Sequence, residues 1–172
     1  MKNNYQDVLD NINLYVQKFY GQGNKAKYIP ALGQVDPKQF AISLIDNKMN
    51  CYHSGDHQVE FSIQSVSKVF TLTMALNEVG EELWGRMDRE PSGKSFDSLI
   101  HLEESNGIPS NPFLNTGAII LADVLIEIYG SGDAALVKYL KLMRSVSGNS
   151  KLEIDEKIYS SEKKSGHKNY AF

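Results

Sequence analysis

The chain has 172 residues, of which 41% are hydrophobic and 10% aromatic, enough apolar content for one compact domain with a buried core, so disorder is not expected. Its formal net charge of -3, with lysines scattered along the chain, offers no basic footprint for DNA or RNA. One cysteine, Cys51, allows no disulfide framework and no CxxC metal knuckle within the chain; with no signal-peptide core and no long apolar run, a cytoplasmic protein without membrane association is expected.

Val8, Leu9, Ile12, Tyr15, Val16, Phe19 and Tyr20 recur at spacings of three and four, which predicts an amphipathic helix over 5–20. Gly21 to Asn24 break it. Phe40 to Ile45 is short and β-prone, 46–48 is turn-like, and Met49 to His53 returns, which predicts an antiparallel hairpin. Ser54-Gly55-Asp56 supplies a second turn. Apolar residues recur nearly all round from Ser65 to Val79, with Gly80 as terminator, so a largely buried helix is expected there. Residues 90–99 and 107–117, rich in proline, glycine and polar side chains, read as ordered surface loops. Helices follow at 116–129, ended by Gly130, and at 133–145, with Asp133 or Ser131 available as cap. The charged tail reads as solvated. At Asn169 to Phe172 it turns into what looks like the first turn of a buried helix, and the chain stops, as the amino-terminal portion of a longer domain would.

One stretch carries chemistry. In Phe61-Ser62-Ile63-Gln64-Ser65-Val66-Ser67-Lys68, Ser65 and Lys68 are three apart, which on a helix puts them on one face a turn apart. A serine hydroxyl needs a base to become a nucleophile, and lysine serves once burial lowers its pKa. The Ser65 N–H, at a helix start, suits half of an oxyanion hole. Spacing alone is weak evidence: the chain holds four SxxK copies, the others at Ser160, Ser161 and Ser165, where chance placement gives about 1.5. The plain alternative is a capping Ser65 and a Lys68 whose stem lies along apolar surface.

Other polar residues suggest less. His53 and His57 straddle a turn, which denies them helical metal-ligand geometry. His101 and His167 are isolated. Glu103 and Glu104 are adjacent and point apart. Glu162 sits in a charged run, and Cys51 reads as a small packing residue.

The blocks YIPAL at 28–32, FSIQSVSKVF at 61–70, EPSG at 90–93, NPFLNTGA at 111–118 and the tail segment SEKKSGHKN stand in one order. In these blocks the chain closely resembles the serine-dependent glutaminases of bacteria. That resemblance implies an α+β fold with αβα layers, of the serine β-lactamase and penicillin-binding-protein type, present here as an incomplete single domain over 1–172 with an amino-terminal hairpin and a helical cluster. It implies hydrolysis of L-glutamine to L-glutamate and ammonia. Ser65 would form the glutamyl ester, Lys68 would transfer protons, and no metal or organic cofactor would take part. Tyr28, Gln64, Asn115, Glu162 and Asn169 match the family's substrate-contacting positions, with Glu162 and Asn169 at the amino-acid end of the substrate. A carboxylate can pair with the substrate ammonium, and amides and phenols can donate to its carboxylate, which reverses the surface reading of Glu162.

Family members continue past the position of Phe172 into further pocket tyrosines and sheet strands, so a truncated chain with little or no activity is expected, and a homo-oligomer when full length. The competing readings are a penicillin-recognising acyl-transferase, which would react with a β-lactam at Ser65, and a non-catalytic fragment or glutamine-binding pseudoenzyme.

Overall fold

The computed structural model describes residues 4–93, 95–96 and 106–166. The chain divides into two compact units. The first runs to Ser62 and takes in Glu156–Ser165; the second begins at Ile63 and holds the rest.

In the first unit, helix α1 spans Tyr5–Val16 and tightens into a 3-10 turn at Gln17–Phe19, so the predicted helix is present with its last turn overwound. Strands β1 (Ala41–Ile45) and β2 (Cys51–Gly55) pair antiparallel, with Ala41 opposite Gly55 and Ile45 opposite Cys51. The return strand starts two residues later than its composition suggests. Met49 adopts a left-handed φ of 64° and belongs to the turn, which is organised by Asp46. Its carboxylate accepts the backbone N–H groups of Lys48 and Asn50 at 2.8 and 2.9 Å and the Asn50 amide at 2.9 Å. These donors, the Asn50 side chain foremost, hold the Asp46 carboxyl below the ordinary aspartate value.

Helix α1 is fixed to β2 by polar bonds as well as packing. Buried Ser54 donates to Asp10 Oδ1 at 2.6 Å, and Gln6 Nε2 donates to the His53 carbonyl at 2.8 Å. Cys51 is exposed and not a packing residue. Its side chain falls on the outward phase of β2, where the register alternates exposed and half-buried positions.

The tail contains a helix that its charge conceals: α5, Glu156–Ser165, belongs to this first unit. Ile158, Ser161, Glu162 and Ser165 are half-buried, spaced three and four apart, so the inward stripe is real but built mostly from polar side chains.

The second unit begins with a 3-10 turn at Gln64–Val66, followed by α2 (Ser67–Val79), a further 3-10 stretch at Gly80–Gly85, α3 (Asn115–Tyr129) and α4 (Gly132–Ser147). Met74, Ala75, Leu83, Met87, Leu121, Val124, Leu125 and Ala135 form its core. Removing a leucine such as Leu83 or Leu121 from water contributes about 2 kcal/mol. Helix α2 and the turn before it are less enclosed than their composition suggests: Lys68, Met74 and Ala75 are buried, whereas Val66 of the turn and Val69 face outward. The segment before α3 is also not the surface loop expected. Pro109, Ser110, Pro112 and Leu114 are buried, and two backbone bonds of 2.8 Å, Asp88 N to Pro109 O and Glu90 N to Ser110 O, tie it to residues 88–90. Ser131, one of the two predicted caps, accepts the Ala134 N–H at 3.1 Å and starts α4.

Candidate active site

Lys68 lies in the first turn of α2 with 8% of its surface exposed. Its Nζ donates to the Phe113 carbonyl at 2.9 Å and to Asn115 Oδ1 at 2.8 Å. Burial, which penalises the ammonium form, pulls the Lys68 pKa below the ordinary lysine value. The Phe96 ring, 5.8 Å from Nζ, favours the charged form but sits near the limit of such attraction.

This arrangement suits proton acceptance. A neutral amine has two N–H bonds and one lone pair. Phe113 O and Asn115 Oδ1 can take both N–H bonds, which leaves the lone pair to face a third direction. Ser65 precedes Lys68 by three residues, within the 3-10 turn, and its side chain is exposed.

The acceptors for Lys68 are placed by the Asn111-Pro112-Phe113-Leu114-Asn115 stretch. Asn111 Oδ1 accepts the N–H of Phe113 at 3.0 Å and of Leu114 at 3.2 Å, and Asn111 Nδ2 donates to Glu90 O at 2.8 Å. The Asn115 N–H donates to Phe96 O at 3.0 Å. Gly117, in the first turn of α3, lets this stretch lie against the helix. A Cβ there would stand 2.1 Å from Asn111 O and 2.8 Å from Pro112 Cα, and backbone cannot yield that much.

Gln64, immediately before Ser65, has a φ of +44°, a left-handed conformation uncommon for a non-glycine residue. Ser65 therefore enters its turn through a backbone position that the surroundings must enforce.

The first unit holds two further residues singled out from the sequence. Tyr28 is 71% exposed, and Glu162 is half-buried on α5. The structure brings their segments together: the Ala31 N–H donates to Ser161 Oγ at 3.0 Å, and Pro30 lines a shallow hollow with Ser160, Ser161 and Lys164. Ser161 is thus engaged in packing, and its SxxK copy is not the free solvated pair that composition suggests. Asn169, His101, Glu103, Glu104 and His167 lie outside the described residues, as does the helix start expected at Asn169. His53 and His57 stack with ring centroids 4.8 Å apart.

Sequence reasoning missed Phe113, whose contribution is a backbone carbonyl with no side-chain signal, and Phe96, which lies in a loop with no periodicity. Among the described residues no group of three or more His, Cys, Asp or Glu is placed to hold a metal ion, and no helix is long and apolar enough to cross a membrane.

Comparison with known proteins bears on the family and the fold. The family model described as Glutaminase matches residues 23–172. A glutaminase of Pseudoalteromonas translucida (strain TAC 125) is 46% identical over 97% of this chain and 53% of its own length. One from Rhizobium leguminosarum bv. trifolii (strain WSM2304) is 42% identical over 96% of this chain and 53% of its own. The chain thus spans about half the length of the curated relatives it matches. Among solved structures, a probable glutaminase from Bacillus subtilis complexed with 6-diazo-5-oxo-L-norleucine superposes with a TM-score of 0.80 at 30% identity, covering 99% of this chain and 51% of that one. The neighbours are glutaminases, with the serine β-lactamase-like fold, and the α+β class expected from the sequence stands, with a two-stranded antiparallel sheet among the described residues. Because the matched span contains the hairpin, the Ser65 turn, Lys68 with its acceptors, and α5, the chain belongs to the glutaminase family.

Proposed function

We propose that Ser65 is the nucleophile of a glutaminase reaction and Lys68 its proton-transfer partner. The observation that carries this reading is the buried Lys68 amine, held by Phe113 O and Asn115 Oδ1 one turn after an exposed Ser65. The Ser65 Oγ–H proton passes to Lys68 as Oγ bonds to the side-chain amide carbon of glutamine. The C–N bond then breaks, the same proton leaves on ammonia, and water cleaves the glutamyl ester to glutamate. Glutamine as substrate is supported by the family and by the glutamine-like ligand named for the Bacillus subtilis neighbour. On the motif positions alone, Tyr28, Gln64 and Asn115 contact the substrate, and Glu162 with Asn169 takes its amino-acid end. On the same resemblance the two units are parts of one glutaminase domain and the protein assembles as a homo-oligomer; a cytoplasmic location rests on its single cysteine. The exposed Cys51 thiol suits a reducing compartment.

The 172-residue chain is inferred to hydrolyse glutamine slowly, because Ser65 is exposed and a water-bathed nucleophile gains little from fixed dipoles. The test uses 6-diazo-5-oxo-L-norleucine, which loses N2 as a serine oxygen bonds to its terminal carbon, with ammonia release from glutamine measured alongside. The expected result is one adduct on Ser65 by mass spectrometry, absent in Ser65→Ala and suppressed in Lys68→Met. No adduct in the native chain, or one on another residue, overturns the reading. Acylation of Ser65 by a penicillin in place of this reagent would favour the acyl-transferase instead.

A further inference from the structure

The turn that carries Ser65 is unfavourable in isolation. Gln64 is left-handed at φ +44°, the following residues form a 3-10 turn and not an α-helix, and no side chain caps the start of α2. A backbone of this kind persists only where neighbours over-determine it.

A neighbour with the right reach comes from α4. Tyr139 donates its phenol to the carbonyl of Ser67 at 3.2 Å, across a sequence separation of 72. Ser67 stands between Ser65 and Lys68, and Thr71 Oγ1 donates to the same carbonyl at 3.0 Å. The Tyr139 ring packs against the core of the second unit, so its hydroxyl is presented from a fixed base. At the other end of α2, Tyr129 of α3 donates to Glu78 Oε1 at 2.6 Å. A tyrosine from another helix thus grips α2 near each end, and the one at the amino-terminal end grips the residue between nucleophile and base.

We propose that Tyr139 is a positioning residue for the glutaminase reaction, acting with Thr71 through the Ser67 carbonyl to hold Ser65 in register with Lys68. The inference rests on the assignment of Ser65 and Lys68 made above. Tyr139 has no contact with substrate in this role. It sets the direction from which the Ser65 oxygen meets the lysine lone pair, a geometry in which a displacement of about 1 Å can cost on the order of 100-fold in rate.

The test is the rate of Ser65 alkylation by 6-diazo-5-oxo-L-norleucine, followed by mass spectrometry on the 172-residue chain over a range of reagent concentrations. Tyr139→Phe keeps the ring and removes the hydroxyl. The expected outcome is a fall of roughly 10-fold in the saturating rate constant, with the half-saturating concentration within twofold of the native value. Thr71→Val is expected to lower the same constant about threefold, and the double variant to fall short of the product of the two losses, because both donors act on one carbonyl. A merely structural tyrosine would lower the urea midpoint and leave the rate constant of the folded protein unchanged, and that result overturns the proposal. If Tyr139→Phe does not fold, Thr71→Val decides: an unchanged saturating rate constant overturns it. Absence of a Ser65 adduct in the native chain would remove the Ser65–Lys68 assignment and this inference together, whereas native-rate labelling of folded Tyr139→Phe removes the inference alone.

Discussion

Lys68 Nζ and Asn115 Oδ1 lie 2.8 Å apart although 47 residues separate them in the chain. The first turns of α2 and α3 therefore meet at one hydrogen bond, and the basicity of a buried amine is coupled to the placement of an asparagine. Replacing Asn115 with leucine removes an acceptor that stabilises the ammonium more than the free amine. The Lys68 pKa should then fall further, so the pH midpoint of Ser65 alkylation should move down. Denaturant titration should record a loss of about 1–3 kcal/mol, the cost of leaving a buried donor short of a partner. An unmoved midpoint in a folded variant would separate Asn115 from the base.

Gly117→Ala tests the close approach that seats the Lys68 acceptors. By helix propensity alone the change should stabilise α3 by about 1 kcal/mol. The Cβ would meet Asn111 O at 2.1 Å, and because that contact is backbone, the stretch 111–114 must move and carry Phe113 O with it. A net loss of more than about 2 kcal/mol in urea unfolding is expected, together with slower Ser65 alkylation.

Two groups oppose each other in alkali. Lys68 has a folded pKa below its unfolded value near 10.5. Between those values the unfolded chain binds more protons, so this residue makes stability rise with pH across that window. Tyr129 is pushed up to about 12, first by its hydrogen bond to Glu78 and then by desolvation. Its contribution is complete below the unfolded tyrosine value of 10.0 and is lost as pH climbs through about 12. Urea midpoints measured from pH 8 to 11.5 should therefore lose their rise in Lys68→Met and keep it in Tyr129→Phe, which should lose part of the fall above pH 10.

Ser131→Ala removes the acceptor for the Ala134 N–H at the start of α4. Loss of such a cap costs about 1 kcal/mol, and thermal unfolding should show it as a lowered midpoint. Because Tyr139 lies on that helix, a slower Ser65 alkylation in the folded variant would tie the cap to the positioning of the turn. Ser131→Asp should restore both.

Much of this was legible in order along the chain. The stripe on α1, the hairpin, Gly80 after α2, Gly130 after α3 and the Ser131 cap are local signals, produced by periodicity, turn chemistry and terminators that act within a few residues. The Ser65–Lys68 spacing was legible too, but it was one of four, and only its motif neighbours singled it out. Helix α5 was hidden because its inward stripe of Ile158, Ser161, Glu162 and Ser165 is mostly polar, and hydrophobic periodicity cannot register a serine that packs. The exposure of Cys51 was misjudged because the phase of β2 depends on where the Asp46 turn releases the strand.

Local chemistry along the chain thus settles which segments become helix, strand and turn, and the ordered motif blocks place it among the glutaminases. It does not settle what a side chain meets. That Lys68 is buried with its donors on Phe113 and Asn115, and that Tyr139 reaches Ser67, are facts of segments 45 to 72 residues apart coming together. The lowered pKa of Lys68 comes from desolvation, and desolvation exists only once distant segments have excluded the water.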